Sequence, residues 1–133
     1  WDASENSDFS TGEPWLSVNK NHNEINVETQ NGDSNSILNY FRSMVKLRKD
    51  NDVLIYGDYE LLAAENPDIY AYVRTLNNEK VLVILNFKDH DSSIELPEIG
   101  IINETMINNY STVEISKNNI QLKPYQAVLF KLN

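Results

Sequence analysis

Apolar side chains along this chain change their spacing twice. Up to about residue 35 they are scattered: Trp1, Phe9, Trp15, Leu16, Val18, Ile25 and Val27 recur at neither the two-residue period of a strand nor the period of about 3.6 of a helix, among dense Asn, Ser, Asp, Glu and Gly. That pattern predicts a long irregular loop pinned at a few apolar points. A structureless connection of this length is uncommon inside a compact domain, so the expectation is that the loop lines a surface contributed by something else.

From Ser34 the spacing becomes helical. Asp33, Ser34 or Asn35 can cap the amides of a helix over about 36–50, and Lys46, Arg48 and Lys49 fall in its last turn, where the negative end of the helix dipole favours them. Placed at about 100° per residue, Ile37, Leu38, Tyr40, Phe41, Met44, Val45 and Leu47 cover an arc of about 180°, wider than the stripe of roughly 100° that docks a helix on one core. Such a helix asks for two partners. Arg48 projects into that arc, and the reading favoured for it is a packed stem with its guanidinium serving the helix C-terminus, over a substrate clamp.

Beyond Asn51 the runs are short and alternating. VLIYG (53–57) and YELL (59–62) precede the turn-forming ENPD, and IYAYVRTL (69–76) places Ile69, Ala71 and Val73 on one face and Tyr70, Tyr72 and Arg74 on the other. Asn77 and Asn78 suit a hairpin tip, because Asn tolerates the left-handed conformation. VLVILNF (81–87) is apolar on both sides, as a central strand covered on both faces requires. SSIEL (92–96), ETMINNY (104–110), TVEIS (112–116), NIQL (119–122) and YQAVLFKL (125–132) complete the set. Short strands at such spacing predict a mainly β fold, an antiparallel sandwich or Greek-key domain, preceded by one amphipathic helix and the long loop.

Composition narrows the partners. Twenty acidic against eleven basic residues give a net charge of -9, which repels phosphate backbones and anionic lipid, so neither nucleic acid nor a membrane surface is expected as a partner. There is no cysteine, which removes disulfides and thiolate metal sites and fits a cytoplasmic location. The first residues, WDASENSDF, have neither an initiator Met nor the basic and apolar regions of a signal peptide, and read as the continuation of an upstream segment.

Candidate chemistry is sparse. The glycines at 12, 32, 57 and 100 are isolated and form no phosphate loop; His22 and His90 lie in polar loops without a nucleophile elbow. Asp89, His90 and Asp91 are adjacent in a loop and lack the number and spacing of a metal site, so no metal or other cofactor is expected. The acids Asp58, Glu60, Glu65, Asp68, Glu79, Asp89 and Asp91 fall at strand ends and turns, where solvation is the default over a catalytic dyad. Tyr56, Tyr59, Tyr70 and Tyr72 offer the alternative reading, a carbohydrate-binding module that stacks sugar rings on strand tyrosines. The acceptor triplets at Asn103 and Asn109 matter only on a secretory route.

Four blocks, WDASENSDFSTGEPWLSVNKNHNEINVE, SNSILNYFRSMVKLRKDNDVLIYGDYELL, ENPDIYAYVRTLNNEKVLVILNF and LKPYQAVLFKL, resemble in order and spacing the C-terminal portion of the oligo-1,6-glucosidase and α-glucosidase group of the α-amylase superfamily, glycoside hydrolase family 13. The resemblance is weakest between about Asp89 and Asn119. It implies that residues 1–52 are the tail of a (β/α)₈ catalytic barrel, with its last helix at about 36–50, and that residues 53–133 are the C-terminal β domain. It further implies retaining hydrolysis of α-1,6 or α-1,4 bonds in short gluco-oligosaccharides by carboxylates that precede Trp1, so that no catalytic residue is carried onto this chain and the chain alone is inactive. Trp1 and Asp2 match the end of a segment close to the substrate cleft and are expected at its rim. The implied partner is the barrel of the same enzyme, which meets the gluco-oligosaccharide; self-association through the exposed helix face is the further expectation.

Overall fold

A computed structural model describes residues 1–96 and 100–133. The chain divides into two compact units, Trp1–Lys46 and Leu47–Asn133.

The first unit is largely irregular, as expected, yet it contains two short elements that its apolar spacing does not reveal. A 3₁₀ turn spans Glu5–Asp8, and Asn6, Ser7 and Asp8 all take positive φ (55°, 53° and 62°), a left-handed run that is costly for residues with a Cβ. Helix α1 is Val27–Gly32. It forms because the buried Asn26 caps it: Oδ1 accepts from the Thr29 amide at 2.8 Å while Nδ2 donates to the His22 carbonyl at 2.8 Å.

Helix α2, Ile37–Asp50, appears where the period placed it. Its cap differs from the expectation. Ser36, rather than Asp33, Ser34 or Asn35, accepts from the Asn39 amide at 3.2 Å, and Gln30 Oε1 accepts from the Leu38 amide at 2.9 Å. Asp33 is occupied by the Asn35 amide, at 2.8 Å. Most of the wide apolar arc is uncovered in this chain, with Ile37 82%, Phe41 58%, Met44 41% and Val45 36% exposed, while Leu38, Tyr40 and Leu47 are partly buried.

The second unit is an antiparallel β-sandwich. Strands β1 (Asp58–Leu62), β2 (Ile69–Leu76), β3 (Glu79–Asn86), β8 (Ala127–Leu132) and β5 (Ile102–Asn108) form one sheet in the order β1-β2-β3-β8-β5, and β4 (Ser92–Glu95), β7 (Asn119–Leu122) and β6 (Glu114–Ser116) form the other in the order β4-β7-β6. Between the sheets lie Ile69, Ala71 and Val73 of β2, Leu82 and Ile84 of β3 and Phe130 of β8, facing Ile94 and Ile120 of the smaller sheet. The opposite face of the large sheet carries Val81, Val83 and Leu129 beneath Val53 and Leu54, with Leu47 packed alongside. Strand β3 is therefore covered on both faces, which is why its apolar residues do not alternate. The hairpin tip is at Asn77, with φ 53°.

One expected strand is a helix. The apolar pattern predicts an extended run over residues 53–57, but Val53–Tyr56 form the helical turn α3, closed by the Tyr56 amide on the Asp52 carbonyl at 2.8 Å and the Gly57 amide on the Val53 carbonyl at 3.2 Å. The reason is packing. Val53 and Leu54 are both buried against one face of the sheet, and adjacent strand residues would point in opposite directions. Gly57 lets the chain leave this turn: a Cβ there would stand 2.5 Å from the Val53 carbonyl oxygen and 3.0 Å from that of Thr75. Arg74 fastens the same turn, donating from Nη2 to the Gly57 carbonyl at 2.7 Å and the Ile55 carbonyl at 3.4 Å.

Loops at one end of the sandwich are organised by two buried amides. Asn86 Nδ2 donates to the carbonyls of His90 and Lys123, and its Oδ1 accepts from the Lys88 amide. Gln126 Nε2 donates to Asn108 Oδ1 and the Thr112 carbonyl, and its Oε1 accepts from the Lys123 amide. Both side chains are fully satisfied, as their burial demands.

Candidate functional site

The residues expected at a cleft rim sit in the first unit. Asp2 Oδ1 accepts from the Ser4 amide at 2.9 Å and from the Ser4 hydroxyl, and these donors hold its carboxyl below the usual carboxylate range. Trp1 is half exposed and meets Phe9 with ring centroids 5.8 Å apart and planes tilted by 48°. Trp1 also lines an apolar groove of about 320 Å³ with Ile25, Val27, Ile37, Leu38 and Phe41. The two residues are thus fixed differently, Asp2 by a local turn and Trp1 by apolar contacts.

The strand tyrosines come together on β1 and β2. Tyr59 and Tyr70 share a hydroxyl–hydroxyl hydrogen bond of 2.7 Å, and Tyr72 packs against both, at 5.2 Å and tilted 38° from Tyr59 and at 5.5 Å and tilted 51° from Tyr70. The bond to Tyr70 pushes the Tyr59 phenol up to about 12, and burial raises Tyr72. The rings are turned towards one another, in the tilted arrangement aromatic clusters prefer, instead of forming a flat row. Tyr56, on α3, is exposed, and among the described residues it is in ring contact with none of the cluster.

His90 pairs with carboxylates on two sides: Nε2 lies 3.5 Å from Asp68 and Nδ1 3.4 Å from Asp89, and Asp68 also meets Lys88 at 3.8 Å. All four are at least a third exposed, so the cluster is a solvated loop contact. Among the described residues no group of His, Cys, Asp or Glu is arranged to hold a metal ion. Arg48 donates to the Leu54 carbonyl, so its guanidinium serves the turn after α2 instead of the carbonyls of its own helix end. Of the two acceptor triplets, Asn109 is already spent on the backbone at the start of β8 and just before it, donating to the Tyr125 carbonyl and accepting from the Ala127 amide. Sequence reasoning passed over the pairing of Asp68 with His90, which are 22 positions apart with no periodic link between them.

Comparison with known proteins adds to this geometry. Residues 1–57 match the family model of the α-amylase catalytic domain, and residues 69–129 match the C-terminal domain model of the α-amylase SusG. The chain belongs to the α-amylase superfamily, and its structural neighbours are enzymes of glycoside hydrolase family 13. This member is 43% identical to the oligo-1,6-glucosidase of Bacillus cereus over 99% of its length, covering 24% of that protein. It is 36% identical to the trehalose-6-phosphate hydrolase of Bacillus subtilis, with the same coverage of both chains. Among solved structures it matches an isomaltulose synthase mutant from Erwinia rhapontici bound to D-glucose, with a TM-score of 0.89 at 41% identity, over all of this chain and 24% of that one. The superfamily member described here therefore spans about a quarter of the length of the relatives it matches. Its sandwich is the C-terminal domain type of these enzymes.

Proposed function

We propose that this chain is a non-catalytic part of an α-glucosidase that hydrolyses α-1,6 or α-1,4 bonds of short gluco-oligosaccharides. Residues 1–52 form the tail of the catalytic barrel, residues 53–133 form the C-terminal β domain, and the β domain braces the barrel. The observation that carries this reading is the uncovered apolar arc of α2, with Ile37, Phe41, Met44 and Val45 open to solvent inside the stretch that matches the catalytic-domain model. A contiguous apolar face of this kind marks a surface that another body covers. The likeness to oligo-1,6-glucosidases supplies the substrate class. Trp1 and Asp2 stand at the rim of the substrate cleft in this arrangement, and the sugar meets the barrel rather than the tyrosine cluster.

Two measurements test the proposal. The purified chain is expected to show no turnover of a chromogenic α-glucoside, and activity from pure chain overturns the non-catalytic assignment. The chain is also expected to give no heat with isomaltose or maltotriose in calorimetry; saturable binding abolished by Tyr59→Ala would install the carbohydrate-binding reading instead.

A further inference from the structure

Between Asp33 and Asp50 the chain carries four cations, Arg42, Lys46, Arg48 and Lys49, and no carboxylate. That stretch is +4 while the rest of the chain is -13, which together make the net -9. Arg42 and Lys46 lie four residues apart on α2 and share one side of it with Asn39 and Ser43. At about 100° per residue this side lies opposite Ile37, Phe41 and Met44, so a body covering the apolar arc leaves it open.

These four side chains, with Asn31 and Ser34, line an open cleft of about 470 Å³ in the first unit, and no lining residue is acidic. Asp33, the acid nearest in sequence, turns its carboxylate to the Asn35 amide. The guanidinium of Arg42 is already oriented. Its Nη1 donates to Asn31 Oδ1 at 2.6 Å and to Asn39 Oδ1 at 3.2 Å, which commits both hydrogens of that nitrogen. Nε and Nη2 remain, the side-on fork whose geometry matches two oxygens of one anion, and neither has a partner among the described residues. Lys46, which has a contact of its own, adds a second positive charge one turn along. Ser34 adds a hydroxyl. No aromatic ring lines the cleft, so it lacks a stacking face for a neutral sugar.

We propose that this cleft binds a phosphate monoester or inorganic phosphate, with Arg42 gripping two oxygens through Nε and Nη2 and Lys46 neutralising the second charge. The whole-chain charge repels extended polyanions, whereas a single small dianion meets only the local field of the cleft. The inference does not depend on the glucosidase reading, since an inactive chain and an active one would bind phosphate alike.

The test is a titration of isotope-labelled chain followed by its amide resonances, with inorganic phosphate, a hexose monophosphate, glucose and chloride as ligands. Saturable shifts at Gly32, Asn39 and Ser43 are expected with both phosphates, and none with glucose or with chloride at matched ionic strength. Tighter binding of the hexose monophosphate identifies a sugar phosphate as the ligand; equal affinities identify free phosphate. Arg42→Gln is expected to weaken binding at least about tenfold, Arg42→Lys, which keeps the charge and loses the fork, by less, and the remote Lys20→Gln not at all. Shifts that rise linearly without saturating, or that persist unchanged in both Arg42 variants, overturn the proposal.

Discussion

Ser7 concentrates two unfavourable features in one residue. Its side chain is fully buried, its hydroxyl has no hydrogen-bond partner, and its φ is 53°. Removing an unsatisfied buried hydroxyl recovers its desolvation cost, so Ser7→Ala is expected to stabilise the chain by about 1 kcal/mol in urea unfolding. Gly57 is the opposite case. With a would-be Cβ at 2.5 Å from a backbone oxygen, Gly57→Ala is expected to destabilise by about 1–3 kcal/mol, seen as a lower unfolding midpoint at unchanged slope.

Titration belongs to this scale too. The Tyr59 phenol is raised from 10.0 to about 12, so the interaction behind it is fully present below the ordinary tyrosine pKa and lost as pH climbs through the raised value. Tyrosinate absorbance should therefore show a late-titrating component to which Tyr59 contributes beside Tyr72 and Tyr40, both raised by burial, and Tyr70→Phe should bring the Tyr59 part of it back towards 10.0. Asp2 runs the other way: its lowered pKa means that the Ser4 turn is held above the ordinary carboxylate pKa and released as pH falls through the lowered one.

Among the elements, strands whose two faces differ in burial were readable from sequence, and elements held by side-chain hydrogen bonds were not. The alternation of Ile69, Ala71 and Val73 with Tyr70, Tyr72 and Arg74 is the alternation of buried core against outer face in β2. NIQL is β7 to the residue, because Ile120 and Leu122 point inward and Asn119 and Gln121 outward. Helix α1 has no apolar period, and exists because Asn26 caps it. The cap of α2 uses Gln30, eight residues before the amide it accepts from, a distance no local motif encodes. For α3 the alternation was misleading, since burial of two consecutive residues decides for a helical turn. The candidate site was legible only in part: the tyrosines were visible as a cluster by strand parity, but the inward tilt of their rings depends on register between β1 and β2. Arg74 gave no sign of its role, which is to hold carbonyls of α3 and of Gly57 that lie 19 and 17 positions away. Gln126→Leu should be the most damaging change to the sandwich loops, at about 2–3 kcal/mol, because it strands the Lys123 amide and the Thr112 carbonyl together and leaves Asn108 Oδ1 with the Tyr110 amide alone; loss of amide-exchange protection at Lys123 would check it.

For the whole molecule, exposed apolar residues dominate behaviour in solution. Trp15 is 92% exposed and Leu16 65%, in addition to the open arc of α2. A net charge of -9 opposes association at long range, and screening weakens that opposition. Light scattering is expected to show self-association that strengthens with added salt and is abolished by Phe41→Asp with Val45→Asp; a strictly monomeric chain at high concentration and high salt would contradict it. Among the described residues no helix is long and apolar enough to cross a membrane.

The stretch from Asn26 to Asn39 is tied by neutral groups: Asn26 to the Thr29 amide and the His22 carbonyl, Gln30 to Leu38, and Asn39 Nδ2 to the carbonyls of Gln30 and Asp33. None of these contacts is ionic, so moderate changes in buffer strength leave them intact. Their vulnerability is chemical ageing, since asparagine side chains are among the thermolabile groups of a protein. Conversion of the Asn39 amide to an acid would replace two donors with a charge facing two carbonyl oxygens, and shelf life at elevated temperature, more than buffer composition, would set how long the first unit keeps its shape.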